Sequence, residues 1–144
     1  MAKLFLNGKK FSPLLTRREK DMLQQRVDAT NDASYLFYYF GGTNLDFMNK
    51  LDTSKVTNMK YMISNCNKLQ TIDLSNFNTS NVTDMSYMFY SCPYLTPLDV
   101  SSFDTSNVTT MFYMFENCNA LTTLDVSNFN TDKLNNAFGM FSTP

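Results

Sequence analysis

The chain has 144 residues, 43% of them apolar, with 12 Lys and Arg residues against 13 Asp and Glu residues and no His. One domain is expected at this length, and the lack of His excludes Ser-His-Asp triads and imidazole metal sites. The net charge of −1 argues against direct nucleic-acid binding. Because neither a signal-peptide core nor an apolar run of ~20 residues is present, we expect a cytoplasmic protein with no membrane contact. We also expect no cofactor and no metal.

The N-terminal segment, residues 1–27, is basic and differs in pattern from the rest of the chain. Asn7-Gly8 stands between two short segments that contain apolar residues, a pattern typical of a β-hairpin turn. Thr16 and Glu19 fit a capping box, which predicts a helix from there to about residue 27. We expect the hairpin and helix to cap one end of the remaining chain. The predicted apolar stripe of the helix comprises Leu15, Met22, Leu23 and Val27.

Residues 28–144 are organised by a 26-residue period. The period is carried by Val56, Val82 and Val108; by Met62, Met88, Met114 and Met140; and by Cys66, Cys92 and Cys118. A decayed copy lies upstream at 32–38, so the array has four to five turns. A unit this short cannot enclose a core of its own, and the copies must therefore stack.

Each unit contains two predicted extended pieces joined by polar turns. The segment L-x-x-L-D-(L/V)-S alternates apolar and polar residues, as a strand with one buried face does. The segment V-T-x-M is predicted to be a second short extended piece, and M-x-x-M-F-x-x-C a helical or 3₁₀ turn. Thr79-Ser80 and Thr105-Ser106 are interpreted as turn residues.

Units such as Leu95–Cys118, which reads LTPLDVSSFDTSNVTTMFYMFENC, resemble the repeats of BspA-like leucine-rich repeat surface proteins. The resemblance covers most of the chain, at a period typical of leucine-rich repeats. It implies an α/β repeat solenoid, a right-handed stack of four to five turns with a parallel sheet and an N-terminal hairpin and helix cap. It also implies a binding role and no catalytic activity.

Three rows of equivalent residues are candidates for chemistry. The cysteines Cys66, Cys92 and Cys118 lack the paired spacing and fourth ligand of a zinc site, which favours a buried, reduced ladder. The second row is Asp73, Asp99 and Asp125, and the third is Tyr61, Tyr87 and Tyr113.

The Asp row is expected on the outer face of the sheet. Like charges ~5 Å apart repel, so the row needs solvent, cations or a basic partner to compensate it. The alternative interpretation is a solvated edge. The Tyr row offers adaptable contact surface, although it is equally consistent with a ladder that only shields the stack.

The two ends provide further candidate surfaces. A secondary basic patch of Lys9, Lys10, Arg17 and Arg18 is interpreted either as a contact for phosphate or an acidic protein, or as a solvated cap helix. At the other end, Ala137 and Gly139 replace larger residues of the earlier units. This thinned last turn predicts self-association or end-on docking unless the tail folds over it.

The first functional hypothesis is a non-catalytic protein-interaction module that binds a macromolecular partner through its repeat surface. The expected partner is a protein of basic character, with nucleic-acid-handling proteins included, which the acidic face of the Asp row would attract. Residues 28–144 carry five Lys and eleven acidic residues, a net charge of −6. The alternatives are a small phage or mobile-element inhibitor of a host defence effector, of the anti-CRISPR type, and a fragment of a surface adhesin or phage structural protein.

Overall fold

The computed structural model describes residues 14–141 and two short strands that precede them. The strands β1 (Phe5–Leu6) and β2 (Lys9–Lys10) pair antiparallel, at the positions expected for the two arms of the predicted hairpin. The turn predicted at Asn7-Gly8 and residues 142–144 lie outside the described part of the chain.

The helix α1 runs over Arg17–Thr30 and is capped at both ends. The side chain of Thr16 accepts the backbone N–H of Glu19 at 3.1 Å, and a carboxylate oxygen of Glu19 accepts the backbone N–H of Thr16 at 2.9 Å, so the predicted capping box is present. The helix continues past the boundary predicted at residue 27. It ends at Asn31, which adopts the left-handed conformation that Asn tolerates better than most residues.

Consecutive repeats lie side by side and are joined by a parallel backbone ladder. The ladder begins at a column of isolated parallel bridges through Asp32, Asn58, Asp84, Thr110 and Asn136. Beyond each bridge, alternate N–H groups donate to the carbonyl 25 residues later; the N–H of Tyr61, for example, donates to Ser86 at 3.0 Å. Alternating, evenly repeated bonds of this kind are typical of parallel strands.

The ladder does not follow the strand predicted from L-x-x-L-D-(L/V)-S. In that part of the described units, pairing is limited to β3 (Asn44–Leu45) and β4 (Thr71–Ile72), which are parallel. The next equivalent of Thr71 is Pro97, which has no N–H to donate, and the paired strands stop there. A 3₁₀ helix is present at Asp46–Lys50, where none was expected.

The helical or 3₁₀ turn predicted at M-x-x-M-F-x-x-C is wrong. Two residues in that segment, Tyr61 and Asn65 in one repeat, have positive φ values of 59°. A left-handed residue at every fourth position interrupts any helix of L-residues. The segment instead forms successive turns whose N–H groups join the inter-repeat ladder.

One apolar core runs through the stacked repeats and includes the cysteines. Cys66, Cys92 and Cys118 are free and buried, and the thiol of Cys92 donates to the Ile63 carbonyl of the preceding repeat at 2.9 Å. A hydrogen bond with Cys66, together with burial, raises the pKa of the Cys92 thiol well above its ordinary value. Burial raises the pKa of Cys118 to about 12. Both thiols are therefore protonated at neutral pH.

A buried threonine links each repeat to the next. The hydroxyl of Thr79 donates to the Asp104 carbonyl at 2.9 Å and accepts the Asp104 N–H at 2.8 Å. Thr53 and Thr105 make the same pair of bonds one repeat earlier and one repeat later. The interpretation of these threonines as turn residues missed this role, because the partner lies 25 residues away. Among the described helices, none has the length and apolar character needed to cross a membrane.

Candidate functional site

Four tyrosine rings form a stacked column along one side of the array. The rings of Tyr35, Tyr61, Tyr87 and Tyr113 follow one another with centroid distances of 4.7, 4.4 and 5.3 Å and interplanar angles of 12°, 5° and 26°. We call these four residues the tyrosine column. The sequence interpretation named three of them. Tyr35 belongs to the decayed copy, and its spacing of 26 residues from Tyr61 was the signal that could have found it.

The backbone of the tyrosine column is left-handed at every member, with φ between 52° and 60°. This conformation is uncommon for bulky residues and is adopted most readily by Gly. The fifth equivalent position is indeed Gly139, with φ 68°. The turn therefore accepts Gly, and the Tyr residues in the other four repeats must be explained by their side chains.

The column ends at Tyr113 in an exposed aromatic cluster. The ring of Tyr113 lies directly against Gly139, where a Cβ atom would overlap the ring. Phe138 packs edge-on to Tyr113 with centroids 5.5 Å apart, and its side chain is 67% exposed. Phe112 and Phe138 line a shallow groove with the last three members of the column. Neither Phe was predicted, although they are 26 residues apart.

Burial raises the pKa of several tyrosine hydroxyls in and beside the column. Burial and the neighbouring Tyr87 and Tyr35 raise the pKa of Tyr61 to about 12. Burial also raises the pKa of Tyr113 and of Tyr38, which packs edge-on against the column. Since the ring faces are occupied by stacking, a partner would meet the ring edges and the hydroxyl groups, which both donate and accept hydrogen bonds.

Each carboxylate of the Asp row closes a tight local turn. Asp73, Asp99 and Asp125 each accept, at 2.9 Å, the N–H of the Ser two residues later. Hydrogen bonds with that Ser lower the pKa of all three carboxyl groups. Asp73 also accepts the side-chain amide of Asn49 at 2.9 Å, and the charge of Asp125 opposes ionisation of Asp99. Backbone N–H groups thus offset part of the repulsion between the carboxylates, which the sequence analysis had assigned to solvent, cations or a basic partner.

The same turn recurs elsewhere in the repeat with either Asp or Asn as the acceptor. Asp52 and Asn78 occupy equivalent positions, and each accepts the N–H of the residue two ahead. Asp84 does so at a third place in the unit, where Asn58 is its equivalent. Asn and Asp can both serve in this turn, because either side chain offers an oxygen that accepts the N–H. The D-x-S spacing was the sequence signal for these turns.

Arg17 and Arg18 of the N-terminal segment line a different groove from that of the tyrosine column. Arg17 and Arg18 are exposed in the first turn of α1 and line a shallow groove that includes Asp21. That groove shares no residue with the groove beside the column. Lys9 and Lys10 form β2, and their side chains lie outside the described part. In the part of the chain that is described, no group of three ligand-type side chains could hold a metal ion.

Comparison with known families identifies one family model that matches the chain. The model, described as a Mycoplasma protein of unknown function, DUF285, matches residues 1–119 and, in a second overlapping alignment, residues 31–144. Two overlapping alignments are expected when a chain with internal repeats fits a model in more than one register. Searches of curated proteins and of solved structures find no significant match.

Proposed function

The chain belongs to the DUF285 family of Mycoplasma proteins of unknown function, and we propose that it is a non-catalytic protein-interaction module whose tyrosine column binds a protein partner. One observation carries this proposal: Tyr occupies a left-handed backbone position at which the last repeat has a glycine, Gly139. A left-handed non-Gly residue costs about 1–2 kcal/mol. Ring stacking offsets this cost by about 0.5–1.5 kcal/mol for each pair, but it does not account for the exposed Phe138 beside the column.

A stacked aromatic column is well suited to recognition. Each tyrosine is held by its neighbours and by the N–H bond it donates to the next repeat, as from Tyr87 to the Phe112 carbonyl at 2.7 Å. Little side-chain entropy is then lost when a partner binds. Tyr is also enriched among the residues that dominate binding energy at protein interfaces. The groove beside Phe112 and Phe138 adds apolar surface to this column.

We also propose that the array is a right-handed solenoid of the BspA-like leucine-rich repeat type. Support comes from the parallel bridges at 26-residue spacing, from the inter-repeat N–H ladder and from the continuous core. The position of α1, whose Leu23 and Val27 join that core, supports its role as a cap. The raised pKa values of the Cys92 and Cys118 thiols make these two side chains poor nucleophiles, which favours binding over catalysis.

The proposed partner has basic character. The array carries a net charge of −6, and local hydrogen bonds lower the pKa of the three carboxyl groups of its Asp row further below neutral pH. Acidic side chains of this kind accelerate the approach of a basic protein, and salt screens the attraction. Aromatic contacts at the column would then hold the complex with little dependence on salt.

A triple Tyr61→Phe, Tyr87→Phe, Tyr113→Phe variant tests the proposal. It retains the stacked rings and removes three hydroxyls, so the fold should be preserved. The immobilised wild-type chain, the triple variant and a Tyr94→Phe control, which changes an exposed Tyr outside the column, would be compared for proteins captured from a Mycoplasma lysate by quantitative mass spectrometry. A protein lost with the triple variant and retained with the control would then be purified and its affinity measured.

Two charge variants identify which surface matters if the column does not. Asp99→Lys with Asp125→Lys should weaken binding of the purified partner and flatten its salt dependence, whereas Arg17→Glu with Arg18→Glu should have little effect. Loss of binding in the arginine double variant, with the aspartate and tyrosine variants unaffected, would reject the column and assign binding to the basic patch.

A further inference from the structure

A cleft lies between α1 and the 3₁₀ helix at Asp46–Lys50. It encloses about 680 Å³, a volume typical of small-molecule sites. A smaller groove along α1 adjoins the cleft, because the two share Arg17 and Asp21 in their linings. We call the cleft and the groove together the basic cleft. Its charged lining residues are Arg17, Arg18, Lys20, Lys50, Asp21 and Asp46.

The four cations of the basic cleft have no carboxylate partner within the residues that the structure describes. Asp21 follows Arg17 by four residues, which is the spacing of a helical ion pair, but no ion pair joins these two side chains. The carboxylate of Asp46 accepts the side-chain amide of Asn44 at 2.9 Å. Four cations against two carboxylates give the basic cleft a net charge of +2, in contrast to the negative charge of the array.

Both walls of the basic cleft are anchored in the core. Leu23 and Val27 of α1 are buried there, and so is Met48 of the 3₁₀ helix. The side-chain amide of Asn49, in the same short helix, donates to the Asp73 carboxylate at 2.9 Å. The cleft is therefore formed before a ligand enters it, and little conformational entropy is lost when one binds.

One polar atom in the lining of the cleft is left without a hydrogen bond. Asn49 lines the cleft, and its side-chain oxygen Oδ1 is buried but accepts no hydrogen bond from the described part of the chain. The large majority of buried polar side-chain atoms in folded proteins have a partner. A hydroxyl group of a ligand in the cleft would supply a donor for this oxygen.

We propose that the basic cleft binds the phosphate monoester of a hydroxylated small molecule, such as a sugar or polyol phosphate. A phosphate monoester carries a charge of about −1.5 to −2 at pH 7 and three strong acceptor oxygens, which matches the net charge of the cleft. The guanidinium of Arg17 can donate two parallel N–H bonds to phosphate, whereas Lys20 and Lys50 act as point charges. Lys20 Nζ lies 5.5 Å from the centroid of the Phe47 ring, which holds this cation at the cleft.

Titration of the full chain with glycerol phosphate at constant ionic strength, followed by amide NMR, tests the site. Saturable shifts should appear at Lys20 and Lys50. The double variant Lys20→Gln with Lys50→Gln removes two cations of the cleft and should raise the dissociation constant about tenfold or more. Lys55→Gln with Lys68→Gln removes the same charge from exposed lysines outside the cleft and should leave the constant unchanged. Shifts that never saturate, or equal affinity in the two double variants, would overturn the proposal.

Two further probes identify the source of the phosphate group. Inorganic phosphate has no polyol hydroxyls and should bind more weakly than glycerol phosphate; equal affinity would overturn the proposed hydrogen bond to Asn49. Phosphatidylcholine vesicles that contain phosphatidic acid present a phosphate monoester on a lipid. Co-sedimentation with these vesicles, without any shifts from glycerol phosphate, would overturn the small-molecule assignment in favour of a lipid headgroup. The lysine substitutions leave the tyrosine column and the Asp row intact, so these outcomes are independent of partner binding.

Discussion

The two ends of the array show how strongly the burial of a repeat depends on its neighbour. In the first turn, Ala33 and Leu36 are fully buried because α1 and the next repeat cover both sides. In the last turn, the equivalent of Ala33 is Ala137, which is only half-buried. The same position in the same kind of unit thus differs in exposure, and the chain carries a dedicated element to close only one end within the described residues. In repeat arrays, terminal units need such elements for their apolar sides.

The greatest loss of stability is expected at the end of the array that α1 covers. Leu23→Ala should lower the free energy of unfolding by about 2–5 kcal/mol, because it leaves a cavity between α1 and the core. Leu134→Ala removes the same atoms from a half-buried position and should cost about 1 kcal/mol. Urea unfolding of both variants measures the difference. Equal losses would mean that the last repeat is covered as well as the first.

The inter-repeat threonine gives a second matched pair. Thr79→Val keeps the shape of the side chain and removes both bonds to Asp104, so it should lower the free energy of unfolding by about 1–3 kcal/mol. Thr131→Val, at the exposed equivalent, should change it by less than about 0.5 kcal/mol. Thermal and urea unfolding would measure both values. A tolerated Thr79→Val would show that the buried bonds contribute no net stability.

A smaller loss of stability is expected for Gln24, whose side chain donates to the Asp52 carbonyl and accepts the Asp52 N–H. Thr79 makes the same pair of bonds with the next repeat. Gln24→Ala removes both bonds to the Asp52 backbone and should lower the free energy of unfolding by about 1 kcal/mol. Gln25→Ala changes the adjacent exposed residue of α1 and serves as the control. Hydrogen exchange should become faster at the Asp52 amide in the first variant only. Unchanged exchange there would show that Gln24 does not hold this amide in solution.

The smallest change in stability at neutral pH is expected for Tyr61, in the middle of the array. This change becomes larger in alkaline solution. The pKa of Tyr61 is raised from 10.0 to about 12 in the folded state, so the folded protein retains a proton that the unfolded chain loses. Its contribution to stability is complete below pH 10 and is lost as the pH rises towards 12. Tyr61→Phe should therefore flatten the decline of stability in this range. Urea unfolding at several pH values, with tyrosinate absorbance followed in parallel, tests this; an unchanged decline would assign it to other groups.

Sequence reasoning succeeded where the signal is local or strictly periodic. The capping box at Thr16 and Glu19 involves residues three apart, and the shared phase of the cysteines placed them together in the core. The stacked tyrosines also followed from phase alone. Sequence reasoning failed for the turn at M-x-x-M-F-x-x-C, because a three-residue spacing of apolar residues is common to helices and to successive turns. The left-handed φ of Tyr61 cannot be predicted from its residue type.

The amino-acid sequence was sufficient to predict the 26-residue period, the residue types that face inward and the helix at the basic end, because these depend on hydrophobic pattern and on bonds between near neighbours. Three features became evident only in the folded chain: which segment carries the ladder, that Thr79 and Gln24 bond to equivalent backbone groups, and that the first and last described turns differ in burial. Distance along the chain explains why. These contacts join residues 25 to 29 positions apart, and the role of a side chain in such a contact is set by the backbone it meets in the adjacent repeat.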